Sequence, residues 1–158
     1  MKNTYLTILF LFVSITSINA QYNDPELFIG ANAGFTTSNN SQFVVGIEGE
    51  LLMPVDTNFK VGVSTGFIFG TQTNEVTLPL ALSGRLNADS KFGLGLDIGY
   101  GIPINKSSGS LYFRPMLNYK LSYKSKLRFS YTGLNSIGYV NAGIIFDVNL
   151  GGNLAINW

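Results

Sequence analysis

"KFGLGLDIGYGI", residues 91–102, sets Gly93, Gly95, Gly99 and Gly101 on alternate positions, with Asp97 filling the gap in their row. Between them stand Phe92, Leu94, Leu96, Ile98, Tyr100 and Ile102. A period of two belongs to an extended strand with two unlike faces, here one greasy and one nearly bare. A phosphate-cradling glycine loop needs other spacing. After its G-x-G the third glycine follows at the third position and opens a helix; here it comes at the fourth, and no helical pattern follows.

The same rhythm runs outward in both directions. The apolar rows are Leu27 to Phe35, Phe43 to Leu51, Phe59 to Phe69 and Val76 to Leu86 before it. Leu111 to Leu121, Leu127 to Tyr131 and Val140 to Leu150 come after it. Short clusters of Gly, Asn, Asp, Pro and Ser separate them, the composition of tight connections. Eight strands with brief links predict an antiparallel meander with no room for helices. Pro79 and Pro115 fall inside the fourth and sixth strands, where proline cannot donate a ladder hydrogen bond. The eighth row could run on past Gly151 and Gly152 towards Trp158.

The charges choose the solvent. Five acids (Glu48, Glu50, Glu75, Asp97, Asp147) and six bases (Lys60, Arg85, Lys91, Arg114, Lys120, Arg128) lie on strands, each on the polar row. The remaining charges beyond Lys2 fall in links or ahead of the first row, and no apolar row holds one. The polar rows are also rich in glycine, as a crowded interior requires. The apolar rows are bulky and continuous, as a surface meeting hydrocarbon requires. An Arg or Lys facing lipid at mid-bilayer costs about 2–4 kcal/mol. A sheet can span a bilayer only as a closed barrel, because every backbone polar group must pair internally. The expectation is an all-β fold, an eight-stranded antiparallel up-and-down transmembrane β-barrel. Its interior should be nearly filled by side chains.

Composition narrows function. Charged residues make up 12% of the 158, hydrophobic ones 46%, and the net charge is +1, so no strong field gathers nucleic acid. With no Cys and no His, thiol nucleophiles, disulfides, the commonest metal ligand and the usual neutral-pH base are absent. No catalytic, cofactor-binding or metal-binding residues are expected. Lys2 followed by the apolar run Tyr5 to Val13 and the small polar stretch Ser14 to Ala20 reads as a cleaved export signal over residues 1–20. That leaves residues 21–158 as one barrel domain.

With these features in place, the chain resembles the small outer-membrane β-barrel family of Gram-negative bacteria, the OmpA/OmpX-like barrels. The segments "VTLPLALSGRLN" and "FSYTGLNSIGYVNAGIIFDVNL", aromatics near strand ends (Phe35, Phe59, Phe69, Phe92, Tyr119) and Trp158 carry the resemblance. It implies a cell-outer-membrane location, outer-membrane lipid as neighbour, and Trp158 as an assembly signal for the barrel-assembly machinery. It also implies chain termini on the periplasmic side.

Glu48, Glu50, Lys60, Arg85, Asp97, Arg114, Lys120, Arg128 and Asp147 form the candidate lumen charge network. Near-balance of sign predicts interleaved salt bridges closing the barrel, or a gate if pairs rearrange. Lys120, Lys124, Lys126 and Arg128 pack four bases into nine positions. They read as a solvated rim, with contact to lipid or lipopolysaccharide phosphates as the functional variant. The functional expectation is a structural or interaction role in the envelope. The alternative is a narrow pore or small-solute channel, and a weaker alternative is a secreted soluble β-barrel carrying a hydrophobic ligand. The partner and specific ligand are not written in the sequence.

Overall fold

The computed structural model describes residues 25–37, 41–71, 75–104, 108–134 and 137–148. The expected export signal, Trp158 and the extension of the last row lie outside them. Eight strands run β1 Glu26–Thr36, β2 Phe43–Asp56, β3 Phe59–Gly70, β4 Val76–Leu86, β5 Phe92–Pro103, β6 Ser110–Lys120, β7 Ser125–Leu134 and β8 Ile137–Asp147. Each pairs antiparallel with the next, and β8 closes on β1, so no sheet edge remains.

Closure needs stagger. A path crossing the strands pair by pair starts at Leu27 and passes Leu51, Val63, Leu82, Ile98, Phe113, Gly133 and Gly138. It returns at Thr37, just beyond β1, whose N–H donates to the Gly138 carbonyl at 2.8 Å. The ten-residue offset between Leu27 and Thr37 is the shear that tilts the strands and sets a narrow lumen.

Pro79 and Pro115 fall where a ladder lapses. Pro79 pairs with Gly101 of β5, while pairing with β3 skips from Thr65–Leu80 to Ile68–Thr77. Pro115 pairs with Leu96 of β5, while pairing with β7 skips from Phe113–Gly133 to Met116–Ser130. Register resumes unchanged on both sides, so neither proline shifts its strand. Pro54 instead sits at a bulge, where β2 slips against β3 before Asp56.

The alternation is real in space. On β5, Leu94, Leu96 and Ile98 are 55%, 38% and 49% exposed, and Asp97 between them is 0% exposed. The apolar rows of the other strands repeat this: Ile29, Ile47, Val63, Leu82, Phe129 and Ile144 all stand outward. Aromatics gather at both ends of the wall. Phe35 and Phe43 pack with ring centroids 5.4 Å apart near the loop end, and Phe92 and Tyr119 with centroids 5.1 Å apart near the turn end. That is the girdle pattern of a spanning barrel.

Inward glycines let neighbouring backbones approach. A Cβ on Gly99 would run into the Leu80 carbonyl oxygen, and one on Gly62 into that of Leu51. Asn87 takes the left-handed conformation (φ 52°) that turns β4 into β5, a role asparagine tolerates.

Candidate functional site: a charged layer inside the barrel

Seen along its axis, the lumen has layers. Nearest the loop end, Ala81, Tyr112 and Leu134 are buried together, with Ile68 and Tyr139 packed against them. Nearest the turn end, Phe28, Leu52, Ala88 and Ile145 form a second apolar layer. Between the two lie three arginines and three carboxylates.

Period-two geometry aims all six side chains inward, and barrel curvature lets them meet across the lumen. Arg85 Nη1 donates to Asp97 Oδ1 at 2.7 Å, and its Nη2 donates to Glu50 Oε1 at 2.8 Å. Arg114 straddles Asp97 Oδ2 through Nε (3.0 Å) and Nη2 (2.7 Å), and its Nη1 donates to Glu48. Arg128 Nη1 donates to Glu48 Oε2 at 3.1 Å and also to Glu50 Oε1. Its Nη2 donates to Glu50 Oε2 at 3.2 Å, and its Nε to Asn118 Oδ1 at 2.9 Å.

Each carboxylate therefore answers at least two guanidiniums, and the cluster is neutral. A charge removed from water is tolerated when paired and hydrogen-bonded, and removal of one member leaves the others uncompensated. Charge-assisted forks of this kind also hold geometry tightly. The cluster joins β2, β4, β5, β6 and β7 across the axis, beyond what the ladders do.

The other expected members go elsewhere. Lys60, at the turn end of β3, pairs with Glu26 (2.6 Å) and Asp89 (2.7 Å) in a separate rim cluster. Lys120 Nζ donates to the Asp89 carbonyl oxygen at 3.3 Å. Asp147 is half-buried at the foot of β8 and Lys91 is exposed at the foot of β5. Glu75 lies at the loop end, just ahead of β4. Of the four clustered bases, Arg128 belongs to the central layer rather than the rim. Sequence reading set Glu26 and Lys126 outside the strands; both lie on strands with inward parity. Lys126 donates to the Ala88 carbonyl at 2.7 Å and sits 4.8 Å from the Phe28 ring centroid. Their signal was present, since each continues the polar row by one more step.

A void of about 10 Å³, roughly one water, lies between the charged layer and the turn-end apolar layer. The large concavity, about 890 Å³, is on the outer wall over β2–β5 instead, floored by Gly84 and walled by Phe59, Leu82, Leu86 and Leu96. Bulky side chains outside and filled charge inside invert the plan of a soluble ligand carrier. The secreted-carrier expectation is corrected on that ground: grease does not surround a cavity here.

Among solved structures, the chain has the fold of small transmembrane barrels. A de novo designed transmembrane β-barrel matches with a TM-score of 0.60 at 16% identity, covering 80% of this chain and 98% of that one. Ail, the attachment invasion locus protein of Yersinia pestis, matches at 0.54 and 10% identity, covering 78% and 95%. The N-terminal β-barrel domain of Pseudomonas aeruginosa OprF matches at 0.52 and 11%, covering 78% and 99%. No family model matches the sequence, and no curated protein does. Fold and surface define the class as a closed eight-stranded antiparallel barrel with an apolar outer wall, the fold of these small transmembrane barrels.

Proposed function

We propose that this protein is an outer-membrane barrel with a structural or interaction role in the envelope of a Gram-negative cell, and that it neither conducts solute nor catalyses a reaction. The observation that carries this reading is the filled lumen. Arg85, Arg114 and Arg128 interlock with Glu48, Glu50 and Asp97. Apolar layers stand on either side of them. A path for ions would have to break several charge-assisted bonds at once.

The outer wall supports the address. Outward side chains on all eight strands are apolar or uncharged among the described residues, so the barrel is suited to lipid contact. In this reading residues 1–20 are removed on export and Trp158 is read by the barrel-assembly machinery. The tight-turn end, where β1 begins and β8 ends, faces the periplasm. Partners would be met through the loops at the opposite end.

Planar-bilayer recording of the wild type and of Arg114→Ala tests the reading. The expected result is no discrete openings in the wild type. Stable wild-type openings, altered by Arg114→Ala, would transfer the protein to the channel class.

A further inference from the structure

The turn-end mouth holds an arrangement that the central layer does not explain. Lys120 is the direct cross-strand partner of Lys126 on β7. On its other side the Lys120 N–H donates to the Lys91 carbonyl at 2.9 Å, which sets Lys91 opposite Lys120 at the foot of β5. The three lysines thus occupy one row across three adjacent strands, Lys120 and Lys126 on the inward side and Lys91 at the exposed edge with its ammonium towards the outward Tyr119 ring. Like charges placed directly opposite are unfavourable in a sheet.

None of the three pairs with a carboxylate among the described residues. Lys126 rests on the Ala88 carbonyl and the Phe28 ring, Lys120 on the Asp89 carbonyl, and Lys91 at 5.9 Å from the Tyr119 ring centroid. The acids of this mouth are engaged or apart. Glu26 and Asp89 both hold Lys60. Asp147, whose N–H bonds the Lys124 carbonyl, makes no ion pair among the described residues. The small void lined by Lys126 also meets Glu50, Asn118, Arg85 and Arg128 among apolar side chains, and the buried Arg85 Nε–H has no hydrogen-bond partner among the described residues. Lys120 and Lys126 therefore bring two ammonium groups to the turn at Ala88 and Asp89, where the carboxylates of Glu26 and Asp89 are already held by Lys60.

We infer that the row Lys91–Lys120–Lys126 is a binding site for a phosphate group at the turn-end mouth. Ammonium groups act as point charges and suit a tetrahedral dianion with several acceptor oxygens, whereas planar carboxylates favour the arginine fork. A bound dianion would also relieve the repulsion within the row. The phosphate is either that of a lipid headgroup or that of a free solute. The site stands whether or not the lumen conducts. Only the identity of the source leans on the envelope reading, where this end meets inner-leaflet phospholipid rather than lipopolysaccharide.

The test uses the full barrel folded in a maltoside detergent, which brings no phosphate. Inorganic phosphate is titrated at fixed ionic strength with chloride as control. In parallel, phosphatidylglycerol and phosphatidylcholine retention are compared by native mass spectrometry. Inorganic phosphate binding identifies a solute site, and selective phosphatidylglycerol retention identifies a headgroup site. Whichever probe binds should bind about tenfold or more weakly to Lys120→Ser, the loss of one charged hydrogen bond. Without phosphate, Lys120→Ser should unfold at the same or a higher temperature than the wild type. Lys91→Ser, altered at an exposed position, provides a second variant should Lys120→Ser misfold. Failure of both probes to bind, or undiminished binding to the correctly folded variants, would overturn the inference.

Discussion

Leu96 and Asp97 are consecutive residues with opposite surroundings: Leu96 stands on the outer wall and Asp97 is sealed inside against Arg85 and Arg114. The comparison holds for the two faces of the whole barrel. Outside, side chains are large, apolar and interchangeable, because lipid tails ask only that no charge be present. Inside, a central layer of charges with particular partners is held between small residues and two packed apolar layers. The outer face is specified by composition, the inner by geometry.

That difference can be broken from either side. The largest effect is expected at the inner face. Glu50 joins Arg85 and Arg128, and Glu50→Ala leaves three guanidiniums facing two carboxylates in a low-dielectric layer. A loss of about 3–5 kcal/mol follows, read as a lower urea midpoint for the barrel folded in vesicles. The outer face comes next. Leu96→Arg puts a cation against hydrocarbon and should cost about 2–4 kcal/mol, seen as a smaller folded fraction by heat-modifiable gel migration.

Glycine sharpens the same contrast. Gly99→Val drives a side chain against the Leu80 carbonyl of the neighbouring strand, and a loss of about 1–3 kcal/mol is expected in the same urea assay. Gly84→Ala, on the outer wall, meets only the Phe59 ring at 3.8 Å and, at 4.0 Å, the Leu96 carbonyl oxygen. Its midpoint should stay within about 0.5 kcal/mol of the wild type. Equal responses from these two glycines would show that the lumen is not close-packed.

Much of the fold was legible because the decisive signal is local. Alternation on β5 is visible in twelve residues, and the absence of charge on every apolar row distinguishes lipid outside from water outside. The prolines were legible only as a conflict. Their resolution needed the neighbours: Pro79 and Pro115 each face β5 in full register and leave the gap on the other side. The central layer was half legible. Parity assigned Glu48, Glu50, Arg85, Asp97, Arg114 and Arg128 to the lumen. It could not say that Glu50 of β2 meets Arg128 of β7, because that meeting depends on shear and closure. The same limit left unread that Lys60 pairs with Glu26 and Asp89 rather than with the central layer, and hid the lysine row. Lys91, Lys120 and Lys126 come from two different hairpin steps and become neighbours only once the strands are registered.

The central claim is the orientation of the two faces. The chain's one tryptophan is Trp158, so Leu96→Trp in a Trp158→Phe background gives a single reporter on the outer wall. Fluorescence of this protein folded in vesicles should be quenched strongly by brominated acyl chains and little by aqueous acrylamide. Strong acrylamide quenching without quenching by the brominated lipid would place Leu96 in water and contradict the account.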